Sequence, residues 1–274
     1  MTRPTIIMAA PNGARKVKTD HPAVPVTIDE TIATAKECHA AGASILHAHV
    51  RDDAGKHLLD VVRYRKLLDG LRQELPDMLV QITTEAVGIY TPDQQADLVF
   101  ELKPDFVSVG FREMIGDNGE AAHALATNFY HSSLAEQICV QHILYDIDDL
   151  VWFRAAMADG ILPDARPHVL LVLGRYSENF QSDPVEMKPF IADGLLDMAS
   201  WSICAFGHRE FDVMTDAIAN GGHCRVGFEN NLYLKDGSLA PSNADLVRQL
   251  AETCQLAAPR PWHYSHSNGY FCIS

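Results

Sequence analysis

Two histidines, His47 and His49, stand near the end of the apolar run Ile45-Leu46-His47-Ala48-His49-Val50, with Arg51 directly after it. Such a run reads as a β-strand, and side chains two apart on a strand point to the same face, so both imidazoles would meet one metal ion. Two histidines do not complete a catalytic site, because catalytic zinc usually keeps three protein ligands and an open position for water or substrate. Glu229, in the segment GGHCRVGFENNLYL, is the best third ligand: it emerges from a Gly-Phe turn, where a carboxylate has little structural purpose. A His2Glu set suits Zn2+, and iron and manganese accept the same ligand types. Metal hydrolases on barrel folds also use His-x-His. A histidine at a strand end is more often a satisfied polar residue than a ligand; the pair together with Glu229 favours a metal centre and leaves its reaction open.

The elements that must position these ligands alternate along the chain. Short β-branched or apolar runs bounded by turn residues predict strands over 5–10, 44–50, 78–83, 106–109, 138–144, 168–173, 201–206 and 224–228. Apolar spacing of three and four predicts helices over 27–41, 61–74, 92–102, 120–134, 148–158, 183–192, 210–220 and 242–255. Thr27 with Glu30 forms a capping-box pattern, Gly42 suits the position past a helix end, and Pro92 and Pro184 suit first helical turns. Repeated βα units with short connections are what a closed (β/α)8 TIM barrel requires, here as a single domain over residues 1–274. An open doubly wound sheet is the alternative, but no G-x-G-x-x-G follows the first strand. Barrel enzymes carry their catalytic groups at the C-terminal ends of strands, and polar residues concentrate there. They are Asn12 and Arg15, His47, His49 and Arg51, Thr83, Thr84 and Glu85, Ser108, His142 and Asp146, Arg175, His208 and Glu210, then Arg225, Glu229, Asn230 and Asn231.

Composition narrows the function classes. With 274 residues, 47% of them hydrophobic, the chain can bury a large core. No stretch reaches the roughly 18 to 20 apolar residues that cross a bilayer, and the opening apolar run is too short for a signal peptide. A net charge of −14 argues against nucleic-acid backbones and anionic membranes as partners. Arg15, Lys16 and Lys18 form a local exception, read either as a solvated loop or as an anchor for an anionic substrate. Cys38, Cys139, Cys204, Cys224, Cys254 and Cys272 form no C-x-x-C pair and read as buried thiols in a reducing cytoplasm. Trp152 and Trp201 read as core, Arg112 with Glu113 as a surface pair, and His142 equally as pocket lining or a satisfied barrel histidine. The cluster His208-Arg209-Glu210 is a candidate for binding a carboxylate or CoA.

Taken together, APNGARKVKTDHPAVPVT at 10–27, ILHAHVRDDAGKHLLD at 45–60, VQITTEAVG at 80–88 and GGHCRVGFENNLYL at 221–234 resemble the β-keto acid cleavage enzyme family. The resemblance runs in order over nearly the whole chain. It implies a zinc-dependent barrel that condenses a β-keto acid with acetyl-CoA, giving acetoacetate and a new acyl-CoA. His47, His49 and Glu229 match the family's zinc ligands, Arg225 its substrate-proximal arginine, and Thr83 its hydroxyl after strand 3. Arg225 would offset oxyanion charge, and Thr83 would donate to a developing oxygen. A homotetramer is implied in the same way. The contending reading is a metal-dependent hydrolase on the same scaffold.

Two departures from the family pattern bear on chemistry. Asn230 follows the zinc glutamate where the family carries an aspartate that takes part in proton transfer, and an amide is no general base at neutral pH. Glu85, where many members carry glycine, is the candidate replacement. Arg15 lies at or beside the place where the amino-substrate enzymes present a glutamate. An arginine there would repel an ammonium group and favour a carboxylate or hydroxyl. Asn12, Arg15 and Ser108 complete the expected substrate contacts.

Overall fold

Strand β1 (Ile7–Ala9) has only three residues, yet it closes the sheet, pairing in parallel with β2 (Ile45–Ala48) on one edge and β8 (His223–Val226) on the other. Between them β3 (Leu79–Thr83), β4 (Phe106–Gly110), β5 (Cys139–Leu144), β6 (His168–Leu173) and β7 (Ser200–Ala205) follow in chain order, all parallel. The computed structural model, which describes residues 5–116, 119–164, 166–194, 200–253, 262–265 and 270–273, is thus the expected closed (β/α)8 barrel. Helices α1 (Ile28–Ala41), α2 (Val61–Glu74) and α3 (Pro92–Leu102) follow the first three strands. Then come α4 (Phe111–Ile115), α5 (Glu120–Ala135), α6 (Ile147–Ala158), α7 (Lys188–Asp193), α8 (Glu210–Ala219) and α9 (Asn243–Thr253).

The strands bury both faces, as a parallel sheet covered by helices must. Outward side chains such as Leu46, Ile82, Val107, Val169 and Leu171 join the core shared with the helices. Inward, the strands' N-terminal ends are plugged by Ile6, Met8, Ile45, Leu79 and Phe106. Above this apolar floor the bore turns polar, with Gln81, Gln141, Ser202 and His47 all buried. Chemistry is therefore confined to the C-terminal mouth.

Local signals explain several element ends. The Thr27 and Thr91 hydroxyls cap α1 and α3 in complete capping boxes, and Pro92 opens α3. The helix expected over 183–192 is split into a 3-10 turn, Pro184–Met187, and α7. Pro189 has no N–H to offer, so a continuous α-helix cannot form across it. The structure adds α4, too short to show a period, and a C-terminal antiparallel hairpin of β9 (Trp262–Ser265) and β10 (Tyr270–Ile273) that the sequence reading did not include. The last two residues of the helix expected over 242–255 lie outside the described residues. Among the described residues no helix is long and apolar enough to cross a membrane. Cys38, Cys204 and Cys224 are buried thiols outside any disulfide and Cys139 is a partly buried one; Cys254 and the side chain of Cys272 lie outside the described residues.

Candidate active site

His47 lies in β2 and His49 just beyond it, both buried and facing the mouth of the bore. Their Nε2 atoms are 3.1 Å apart, and Glu229 Oε2 lies 3.4 Å from His47 Nε2 and 3.6 Å from His49 Nε2. The three ligand atoms lie within 4.8 Å of one another, as one shared metal ion requires. Glu229 is held by its other oxygen: Oε1 accepts from Arg225 Nη2 at 3.2 Å, while Oε2 is buried with no hydrogen-bond partner. Burial pushes the His47 imidazole down to about 4, against the opposing pull of Glu229, and holds His49 well below its ordinary value. Two neutral imidazoles and an orphaned carboxylate oxygen, all converging, form the donor set that suits a zinc ion.

Glu229 emerges from a turn, as the sequence suggests, but β8 stops at Val226, two residues short of the expected strand, and the carboxylate hangs in the turn that follows. Gly227 makes that turn possible: its φ is +147°, and a Cβ there would collide with the Ala10 carbonyl. Gly13, at φ +57°, leaves room for the Glu229 side chain, whose Cγ would sit 2.5 Å from an added Cβ. Arg51 knits this region. Its guanidinium donates to the carbonyls of Gly55, Asn12, Gly13 and Lys16, fastening the loop after β1 to the loop after β2. Asn12 works alongside, donating to the Pro25 and His49 carbonyls at 3.1 and 3.3 Å.

A small cavity over the ligand triad is lined by Thr83, Glu85, Tyr145, Arg175, Phe206 and Arg225. It borders a wider cleft of roughly 400 Å3 whose walls include Asn12, Arg15, Lys16, Glu85, Arg175 and Asn230. Thr83 is buried, and its Oγ1 accepts from the Glu85 amide at 3.1 Å, leaving its O–H to donate into the cavity. Glu85 pairs with Arg15 at 3.4 Å, yet burial and the charge of Glu229 push its carboxyl up to about 7. Asn230 is buried with neither amide atom partnered. The Arg225 guanidinium is buried and stays charged, also donating to Cys204 Sγ at 3.2 Å.

Other expected residues lie elsewhere. Ser108 is fully buried, lines neither cavity, and directs its hydroxyl at the Ile82 carbonyl at 3.5 Å. His142 faces outward and packs against Tyr130 and Phe153. Arg112 does not pair with Glu113: it reaches Asp146 and Asp149, both at 2.8 Å, while Glu113 accepts from the Ala86 amide and Gln95. Arg209 is committed to Asp183 and Asp212, and Glu210 is buried against Asn231. Sequence reasoning missed the groups behind the histidines. Gln81 Oε1 lies 2.8 Å from His47 Nδ1, and a line runs on through Gln141 to Ser202. His57 Nδ1 lies 3.3 Å from His49 Nδ1. The signal that could have found His57 is the turn sequence DDAG between it and the ligand pair.

A (β/α)8 barrel with two imidazoles and a carboxylate converging at its C-terminal mouth is an enzyme architecture with room for one metal ion. The sequence model of the β-keto acid cleavage enzymes matches residues 4–264, and the chain belongs to that family. The enzyme class implied by the sequence, a β-keto acid:acetyl-CoA transferase, stands with it. Among its relatives is a 3-keto-5-aminohexanoate cleavage enzyme of Fusobacterium nucleatum subsp. nucleatum, 32% identical over 254 residues and covering 91% of each chain. Another is a 3-oxoadipate:acetyl-CoA acetyltransferase of Cupriavidus necator, 29% identical, covering 93% of this chain and 90% of that one. A solved ternary complex of ObcA with a C4-CoA adduct and oxalate shares the fold with a TM-score of 0.67 at 14% identity, covering 85% of this chain and 64% of that one.

Proposed function

We propose that the protein is a zinc-dependent β-keto acid cleavage enzyme that condenses a β-keto acid with acetyl-CoA, yielding acetoacetate and the CoA ester of the remaining acyl group. The observation that carries this reading is the orphaned Glu229 Oε2 facing two imidazole nitrogens at 3.4 and 3.6 Å. His47, His49 and Glu229 would hold the zinc ion, which when bound would supply Lewis-acid polarisation to the keto group. Glu85 takes the proton from the carbon between the keto and carboxylate groups, a role suited to a carboxyl raised to about 7. The carbon nucleophile so formed attacks the acetyl thioester and expels CoA thiolate. Arg225, charged and buried beside the triad, offsets the oxyanion, and the Thr83 hydroxyl donates to it. The thiolate then adds to the original ketone, the carbon–carbon bond breaks, and Glu85 returns its proton to the departing acetoacetate carbon. Asn230 hydrogen-bonds the substrate through its free amide, and Asn12 holds the loop that shapes the cleft.

The substrate carries an anionic tail and no amine. Arg15, Lys16 and Arg175 line the cleft, and an ammonium group would meet them with like charge. Ser108, in register with Thr83, supports β3 through its hydroxyl on the Ile82 carbonyl. The reading also expects a cytoplasmic enzyme and a homotetramer, the second of which light scattering on the purified protein checks. The central test assays aminated and dicarboxylic β-keto acids on metal-analysed protein, with and without acetyl-CoA. Loss of dicarboxylic substrate only with acetyl-CoA, with stoichiometric acetoacetate and none from Glu229→Ala, is the expected result. Loss with water alone establishes a hydrolase instead, and faster use of the aminated acid defeats the assignment of the tail.

A further inference from the structure

The turn after β2 brings a third imidazole against the ligand pair. Asp52 Oδ1 accepts from the amides of Ala54 and Lys56 at 2.9 and 2.8 Å, and Gly55 takes φ +78°. The chain therefore doubles back, pairing Arg51 with His57 in antiparallel fashion and burying the His57 ring beside His49. His57 Nδ1 lies 3.3 Å from His49 Nδ1, and His57 Nε2 lies 3.0 Å from the Glu85 carbonyl oxygen. We propose that His57 is a positioning residue that holds His49 in the tautomer with a bare Nε2, ready to bind a divalent cation.

The direction of this line is fixed from its far end. A carbonyl oxygen only accepts, so His57 Nε2 carries the proton. A neutral imidazole has one donor and one acceptor, so His57 Nδ1 is bare and His49 Nδ1 must donate to it. His49 Nε2 is then left with its lone pair, aimed at the space it shares with Glu229 Oε2. The opposite tautomer would close the site. A proton on His49 Nε2 would be donated to His47 Nε2, 3.1 Å away, and both lone pairs would be lost to a cation. No other described group stands ready to take over, since Glu85 Oε2 is 3.9 Å from His49 Nδ1, beyond hydrogen-bond reach. The line behind His47 lacks such a fixed end: its two amides can be turned round and the Ser202 hydroxyl both donates and accepts, so it follows His47 rather than directing it.

This role rests on the metal-centred reading above, and its test separates the two. His57→Asn puts an amide oxygen near the place of Nδ1 and keeps an acceptor for His49, whereas His57→Leu fills the space and offers none. Zn2+ affinity is measured by chelator competition on each full-length chain. Nitrogen NMR of labelled histidines on the metal-stripped unchanged chain reports the His49 tautomer directly. The expected result is a loss of about 10- to 100-fold in Zn2+ affinity for His57→Leu, recovered in His57→Asn, with His49 protonated at Nδ1 in the stripped chain. A folded His57→Leu that binds Zn2+ as tightly as the unchanged chain overturns the proposal, as does a His49 protonated at Nε2. Should the unchanged chain bind no divalent cation, the metal-centred reading fails with it, whatever the NMR shows.

Discussion

Glu229 divides its oxygens between two tasks, one tied to Arg225 and one left facing the imidazoles. Glu229→Gln can keep the Arg225 bond but presents an N–H to the histidines, so its metal content by elemental analysis should fall to near zero while its fold survives. Glu85→Gln removes the proposed base and should lower turnover by about 10² to 10⁴, with substrate KM changed far less. Asn230→Asp in that background supplies a carboxylate beside the triad and should restore part of the loss in a steady-state assay. These ligand and rim residues were legible because strand periodicity and family motifs mark them. The groups that hold them were not. Gln81, Gln141 and Ser202 meet only across the bore, and no local pattern says which inward-facing residue of one strand touches that of another.

At the scale of elements, the ends that depend on a nearby side chain were readable and those that depend on distant contacts were not. The Thr27 capping box is present as the sequence suggests, and Thr27→Ala should destabilise the fold by about 0.5–2 kcal/mol, seen as a lower Tm. The break at Pro189 and the short α4 escaped because periodicity averages over more residues than either spans. Helix α8 carries a pH-dependent element. Glu210, at its first turn, is buried under Asn231, and burial pushes its carboxyl from 4.5 up to about 8. The folded chain thus holds a proton that the unfolded chain releases. Its contribution to stability is whole below 4.5 and is lost as the pH rises through about 8. Melting curves across that range should fall with pH more steeply for the unchanged chain than for Glu210→Gln, which has no proton to lose.

At the scale of the whole molecule, the triad straddles the point where the sheet closes. His47 lies in β2 and His49 just past its end, Glu229 follows β8, and only the three residues of β1 lie between these strands. A cation gripped by all three ligands therefore ties one side of that closure to the other. Zn2+ at 100 times its Kd should stabilise the fold by about 2.7 kcal/mol, a rise in Tm that chelation reverses and that Glu229→Gln does not show. The same arrangement has a consequence during biosynthesis. A ribosome threads out His47 and His49 long before it reaches the codon for Glu229, so through most of translation the nascent chain offers two of its three ligands, and β1 lies beside a single neighbour. The three-ligand site and the final pairing of the sheet are both complete only once β8 and the turn after it clear the exit tunnel, so the two are coupled in time.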